Sequence, residues 1–375
     1  MQSSLVLIDA TAVPPNRSGV GRYVDGLIGA LDGDLVIACQ ARDAEHYTAL
    51  APRALVLPQS PRIASVPLRL LWEQVILPRV ARRAGAQVIH SPHYTLPLLS
   101  RLGRVVTFHD ATFFSDPGVH TRLKRFFFRT WIRLSTRLAD AIIVPSAATA
   151  SEILRYVAHE REFVVAHHGV DPAVFHPPTP SEIIDAAGKL GLGDRPWIAH
   201  LGTIEPRKNL PQLVRAYGEL VSRWDTSWGP VPLLALAGSV GWGDSLESEI
   251  ASVEPPGQVR SLGYIPLELV RSFLGGSLVV AYPSLGEGFG LPVLEGMACG
   301  AAVLTTNRLA LPEVGGAAVS YTEIDAASIT AAMVSLISQP SVRRKLSRLG
   351  PLRAREFTWE RCAEVHYGAY ASAGR

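Results

Sequence analysis

Cysteine and lysine are both scarce in this chain. The three cysteines, Cys39, Cys299 and Cys362, lie far apart with no paired spacing. That excludes a disulfide framework and a thiolate metal site, and it fits a reducing cytoplasm. Only four of the 36 cations are lysines, Lys124, Lys189, Lys208 and Lys345, so each is worth inspecting. A strong charge of either sign is missing too: Lys+Arg exceeds Asp+Glu by 3, too little for bulk nucleic-acid binding, and no nucleic-acid partner is expected. The longest charge-free window, 226–243, holds Pro230, Pro232 and four glycines and cannot form a regular membrane-spanning helix. Residues 1–9 have no basic region ahead of their short apolar stretch, so they read as a first strand and not as a signal peptide.

What is present describes a well-buried protein. Hydrophobic residues make up 47% of the 375 and charged residues 18%, which rules out extended disorder and calls for two cores. Short apolar runs alternate with amphipathic stretches from Leu5–Ile8 to Phe163–His167, and again from Trp197–Leu201 to Ala318–Tyr321. Strands that alternate with helices in this way predict an α/β protein with parallel sheets covered on both faces. Between the two series, Asp171 to Arg195 is rich in proline and polar residues with one weak helical pattern. The expected domains are therefore 1–171, a linker at 172–195, a second doubly wound domain at 196–356, and a terminal helix at 357–375. Ligands of such sheets bind beyond the carboxyl ends of the strands, which predicts a substrate between two facing domains.

The segment after the strand Leu278–Tyr282 reads Gly286-Glu287-Gly288-Phe289-Gly290-Leu291-Pro292-Val293-Leu294-Glu295-Gly296. Its glycines let backbone N–H groups approach a ligand, and Pro292 suits the first turn of a helix whose N-terminus attracts anions. A phosphate can dock there, while Glu287 in the loop and Glu295 in the first helical turn suit sugar and ribose hydroxyls. Gly202-Thr203-Ile204-Glu205-Pro206-Arg207-Lys208-Asn209 follows the strand Trp197–Leu201 and sets a forked guanidinium beside a point-charge ammonium. The strand Val105–His109 ends in a histidine followed by Asp110.

Glu287 to Glu295 resembles the E-x7-E signature of the family-4 (GT4) retaining, nucleotide-sugar-dependent glycosyltransferases, and the resemblance runs over the whole chain. It implies the GT-B fold: two Rossmann-like domains facing a central cleft, with a C-terminal helix crossing back to the first. It implies catalytic roles for His109, Arg207, Lys208 and Glu287. Donor binding would fall to Gly19 and Gly21 of the Asn16–Tyr23 loop, to Gly202, to Gly263, Tyr264 and Ile265, and to Gly288, Phe289, Gly290, Leu291 and Glu295. His168-Gly169-Val170-Asp171 is similar to the family's Asn-Gly-Val-Asp, with histidine in place of asparagine. The wording of the 202–209 loop is most like members that use GDP-mannose, so mannosyl transfer to a glycan or lipid-linked acceptor in polysaccharide or O-antigen assembly is expected. No strand-end acidic cluster is evident in the sequence, so the expected site needs neither metal nor cofactor beyond the nucleotide sugar. A nucleotide-sugar epimerase and a non-catalytic sensor are the alternatives; a dehydrogenase is disfavoured because Val24 stands where a dinucleotide fingerprint needs its third glycine.

Two further segments carry patterned charge. Asp32-Gly33-Asp34 matches an Asp-x-Asp metal signature but precedes the strand Leu35–Cys39, at the wrong end of a sheet, and reads as a turn. The stretch 121–138 forms a helix with Leu123, Phe126, Phe127, Trp131, Leu134 and Leu138 on a core-facing stripe and Arg122, Arg125, Arg129, Arg133 and Arg137 on the other side. That arginine face is either solvated or rests on an anionic membrane surface, which would place the protein at the inner face of a membrane.

Overall fold

The computed structural model describes residues 4–17, 19–158, 162–239, 241 and 246–374. Ser18 of the first glycine-containing loop lies outside them, as do residues 1–3 of the expected first strand. In chain order the first half contains β1 (Val6–Asp9), α1 (Gly19–Ala30), β2 (Leu35–Gln40), α2 (Ala44–Leu50), β3 (Leu55–Gln59), α3 (Val66–Val75), α4 (Leu77–Arg83), β4 (Val88–Ser91) and β5 (Gly103–Thr107). Then come α5 (Thr112–Ser115), α6 (Arg122–Leu138), β6 (Ala141–Val144), α7 (Ala147–Leu154) and β7 (Val164–Val165). The second half runs α8 (Pro180–Lys189), β8 (Trp197–Leu201), α9 (Leu210–Ser222), β9 (Leu233–Ala237), α10 (Glu247–Ala251), β10 (Val259–Gly263), α11 (Leu267–Gly275), β11 (Val279–Tyr282) and α12 (Leu291–Ala298). It closes with β12 (Val303–Thr306), α13 (Leu311–Gly315), β13 (Ser320–Thr322), α14 (Ala326–Ser338), α15 (Pro340–Ala354) and α16 (Trp359–Ala373).

All strand pairs are parallel, in one sheet of order β3-β2-β1-β4-β5-β6-β7 and another of order β10-β9-β8-β11-β12-β13. In each, the order reverses beside the first strand, at β1/β4 and β8/β11. A crevice opens at such a switch point because the crossovers on either side depart to opposite faces. Residues 1–169 and 357–375 make one compact unit, and 170–356 the other. The segment 172–195, expected as a linker, belongs to the second unit: α8 carries a Thr179–Glu182 capping box, and Glu182 also pairs with Arg271 on α11.

In unit 1, α1 and α16 cover one face of the sheet over Val6, Ile8, Val88, Val105 and Ile143. The approach is close: a Cβ on Gly26 of α1 would meet the Trp359 ring at 2.2 Å, so only glycine fits there. The opposite face, Leu7, Val36, Ala38 and Ile89, carries α3 and α4 through Trp72, Leu77 and Ala81. Val106, in register with Ser91 on that same face, lies under α6 with Ile142 and Ile132. Unit 2 has its core between β8, β9, β11 and β12 and the helices α9 and α14.

The orientation of α6 corrects the sequence expectation. Its inward residues are Ile132, Ser135 and Thr136, while Leu123 and Phe126, expected in the core, are 78% and 71% exposed. Two of the arginines expected to face outward turn back onto the protein: Arg125 donates to the Pro117 carbonyl and Arg129 to that of Phe113. The helix has aromatic residues on both sides, and those that meet α5, Phe113 stacked on Phe128 at 4.2 Å, decide its rotation. Asp32 is exposed and pairs with the likewise exposed Arg53 at 3.0 Å, as a turn residue would.

Candidate active site

The carboxyl ends of β8, β9 and β10 are stitched together by backbone bonds: Gly202 N–H donates to Ala237, Gly238 N–H to Gly263 and Ile204 N–H to Ser239. Gly238 has φ +149°, and a Cβ there would stand 1.9 Å from the Gly202 carbonyl oxygen. Glycine at 238 is thus what lets the two strand ends come together. Beyond Gly202 the chain makes one 3-10 turn at Pro206–Lys208, then Asn209, at φ +59°, takes the N-cap position of α9, its side-chain amide donating away from the helix to the Ile324 carbonyl. That turn aims Arg207 and Lys208 at the loop that follows β11.

There they meet Glu287. Its Oε1 accepts from Lys208 Nζ at 2.7 Å, from the Tyr282 hydroxyl at 2.8 Å and from Ser284 Oγ at 2.7 Å. Its Oε2 pairs with Arg207, whose other Nη reaches Glu205 at 2.7 Å. Lys208 also donates to the Tyr282 hydroxyl and lies over its ring, 4.9 Å from the centroid. A backbone bond from Leu285 N–H to the Arg207 carbonyl, 2.9 Å, ties the two loops to each other. Burial opposes charge at Glu287, yet Arg207 and Lys208 outweigh it and hold the carboxyl down at about 2. Burial and the Arg207 charge pull Lys208 below its usual value. His200, stacked on Tyr282 with ring centroids 5.6 Å apart, is pushed by burial down to about 4 and is a neutral wall of the site.

The structure therefore brings together Gly202, Arg207, Lys208 and Glu287, with Gly263 joined through Gly238. Phe289 is buried, Leu291 opens α12, and Gly290 is its N-cap. Ile265 is buried but Tyr264 is exposed. Glu295 is buried in the second turn of α12, not the first as expected. In unit 1, Gly19 and Gly21 lie in the first turn of α1 and not in a loop. His109 follows β5, its Nε2 donating to the Pro92 carbonyl at 2.7 Å, and burial lowers its pKa. The sequence reading missed Tyr282 and Ser284; a hydroxyl at each of two positions flanking Pro283 after a buried strand was the available signal.

It also missed a polar group at the carboxyl ends of β1 and β4. Asp9 Oδ2 meets His93 Nε2 at 3.2 Å, His93 Nδ1 lies 3.1 Å from Thr95 Oγ1, and Thr95 Oγ1 donates to Glu73 at 2.7 Å. Asp9, Glu73 and His93 have the geometry of a three-ligand metal group, the one such group among the described residues. Asp9 is already bonded to His93 and Thr11, and Glu73 to Thr95, and burial holds Glu73 up at about 7.

Two family models match the chain, Glycosyl transferases group 1 over residues 184–352 and Glycosyltransferase Family 4 over residues 17–174. The chain is 31% identical over 286 residues to O-antigen chain mannosyltransferase B of Escherichia coli, covering 76% of this chain and 74% of that one. It is 28% identical over 377 residues to the GDP-mannose-dependent alpha-(1-6)-phosphatidylinositol monomannoside mannosyltransferase of Mycolicibacterium smegmatis, covering 89% and 90%. In fold it is similar to the sucrose-phosphate synthase of Thermosynechococcus elongatus, with a TM-score of 0.77, 19% identity and 98% of each chain covered.

Proposed function

The chain belongs to the family-4 glycosyltransferases, and from that premise we propose that it moves mannose from GDP-mannose to a hydroxyl of a glycan or lipid-linked acceptor, with retention of configuration, in polysaccharide or O-antigen assembly. The observation that carries the reading is the buried Arg207–Lys208–Glu287 cluster at the switch point of β8 and β11. Departure of the nucleoside diphosphate takes the electron pair of the sugar C1–O bond and concentrates charge on the phosphate oxygens. Arg207, Lys208 and the first amides of α12 are preorganised donors for that charge. The acceptor oxygen then bonds to C1 from the same face, and its proton passes to the departing phosphate oxygen. Glu287 orients both cations and presents its carboxylate to the sugar, Glu295 serves the ribose, and His109 takes part in the reaction by the family resemblance.

The test is turnover of GDP-mannose beside UDP-, ADP- and dTDP-sugars, with and without EDTA. GDP-mannose is expected to be consumed with retention in chelator. Loss of activity in EDTA, restored by Mg²⁺ or Mn²⁺, would reveal a required metal. Sugar interconversion without acceptor would identify an epimerase, and binding without turnover a sensor.

A lipid-linked acceptor brings the protein to a membrane, and unit 1 has a surface suited to an anionic one. The sequence reading placed it on 121–138 alone; α3 and α4, on the same side of the sheet, carry it further. Val66, Leu68, Leu71 and Val75 of α3 are exposed, as is Leu99. Between Glu45 and Asp110 the chain has eight arginines and one carboxylate, the buried Glu73. Exposed apolar side chains in a stretch whose charges are nearly all arginine match acyl chains beneath anionic headgroups. Binding to vesicles that contain phosphatidylglycerol is expected to fall as salt rises. Replacing Arg79, Arg82 and Arg83 with glutamate should weaken it by at least about 100-fold, since each basic residue contributes about 1 kcal/mol at such a surface. Indifference of the wild-type protein to these vesicles at low salt would dismiss the membrane partner.

A further inference from the structure

A chain of hydrogen bonds without a charged member runs through the interior of unit 1, and one fixed end sets its direction. His366 on α16 places Nδ1 2.7 Å from the Cys362 carbonyl. A carbonyl only accepts, so Nδ1 carries the proton of the neutral ring and Nε2 is an acceptor. The Tyr23 hydroxyl, 2.8 Å from Nε2, donates to it. Tyr23 oxygen must then accept from Thr107 Oγ1 at 2.9 Å, and Thr107 from His90 Nε2 at 2.8 Å. The remaining nitrogen of His90 accepts from the Tyr370 hydroxyl at 2.8 Å. All five side chains are buried. Burial pushes both histidines below their ordinary value, His366 to about 4, which keeps the direction of the chain at neutral pH.

Two members of this chain lie near His109, whose ring also meets Tyr94 with centroids 5.9 Å apart. Thr107 precedes it by two residues at the end of β5. The Tyr23 ring meets the His109 ring edge-on, centroids 5.1 Å apart at 78°, and stands 4.7 Å from His168 on another side. His109 is thus held at one nitrogen by the Pro92 carbonyl and along its edge by Tyr23, so its Nδ1 bears the lone pair. The hydroxyl of Tyr23 is the point at which α16 controls that wall. A leucine at 366 would fill the space but leave the hydroxyl without its acceptor.

We propose that His366 is a positioning residue for His109, acting through the Tyr23 hydroxyl to fix the orientation of the imidazole. The proposal rests on the proposed part of His109 in the reaction. It assigns α16 a part in the reaction in addition to its packing, in the way that outer hydrogen bonds orient the groups that touch a substrate.

The test compares His366→Leu with His366→Gln, whose amide oxygen can take the place of Nε2 as acceptor. The ring ¹⁵N and ¹H signals of His109, assigned by their loss in His109→Gln, should report the Nε2-protonated tautomer in all three proteins because the Pro92 carbonyl is untouched, with the ring resonances displaced in His366→Leu as the Tyr23 ring moves and recovered in His366→Gln. With GDP-mannose, His366→Leu should lower kcat by about 10- to 100-fold, the scale of a small misplacement, with donor KM nearly unchanged, and His366→Gln should restore most of it. Unaltered His109 signals in a folded His366→Leu protein would overturn the proposal, as would failure of glutamine to restore them. A kcat loss that only tracks the unfolded fraction would overturn it too. Wild-type turnover in His109→Gln, with His109 signals still responding to position 366, would instead remove His109 from the reaction and leave the positioning intact.

Discussion

Lys208→Ala should lower kcat by about 10²–10³-fold, the effect of deleting one preorganised donor to a developing anion. The side chain is buried, its ammonium is held by Glu287 and Tyr282, and its charge is set in place before a donor arrives. Nothing has to reorganise as charge moves onto the diphosphate, so the loss falls on the chemical step more than on ground-state binding. The fold should tolerate the change, because Glu287 keeps Arg207, Tyr282 and Ser284 as partners. Initial rates over a range of donor concentrations, on protein with a near-wild-type melting temperature, decide the matter. An unaltered kcat would take Lys208 out of the mechanism and leave Arg207 with the α12 N-terminus as the phosphate site.

Glu287→Gln should do the converse, harming the fold before the chemistry. Arg207 retains Glu205, but Lys208 is left as a buried cation with only neutral acceptors, the Tyr282 hydroxyl and the glutamine oxygen. Breaking a buried pair from one side costs about 3–5 kcal/mol, which for a unit of this size lowers the melting temperature by about 6–20 °C. Adding Lys208→Met to Glu287→Gln should recover part of the loss, since the stranded charge is then gone and the two changes are not additive. Pyrophosphate should raise the melting temperature of the single variant by supplying the missing anion. The pH dependence has a definite sign. The folded carboxyl sits at about 2, so in the wild type its contribution is present above the ordinary carboxylate range and is lost as pH falls from there toward 2. Glu287→Gln should lack that transition. A melting temperature within a degree or two of wild type would show that the cluster is not held together by charge.

Much of this was readable from residue order. The strand segments stand out because β-branched and leucine-rich runs of four or five residues, bounded by glycine, proline or aspartate, have one way to be buried in a parallel sheet. Gly202–Asn209 and Gly286–Glu295 follow such runs directly, so their place at a carboxyl edge was implied. The face that α6 buries was not, because Phe126 and Phe128 compete for the interior and only the α5 aromatics settle the contest. The partners of Tyr23 were equally hidden: His366 is 343 residues away along the chain, and no local pattern marks a hydroxyl for a distant imidazole. The solitary Tyr282 hydroxyl resembles any strand-end tyrosine until the fold sets Lys208 and Glu287 beside it.

Unit 1 is made of two stretches, 1–169 and 357–375, separated by the whole of unit 2. During synthesis this fixes an order of events. The first seven strands leave the ribosome with one face, Val6, Ile8, Val88, Val105 and Ile143, lacking the residues of α16 that cover part of it. At the usual pace of translation roughly 10–40 s pass before those residues follow. Unit 2 has its own sheet and core and can fold in that interval as the nascent chain lengthens, whereas unit 1 waits with greasy surface in view of chaperones. Tyr23 and His90 are therefore made early and are among the last residues to complete their hydrogen bonds, which wait for His366 and Tyr370.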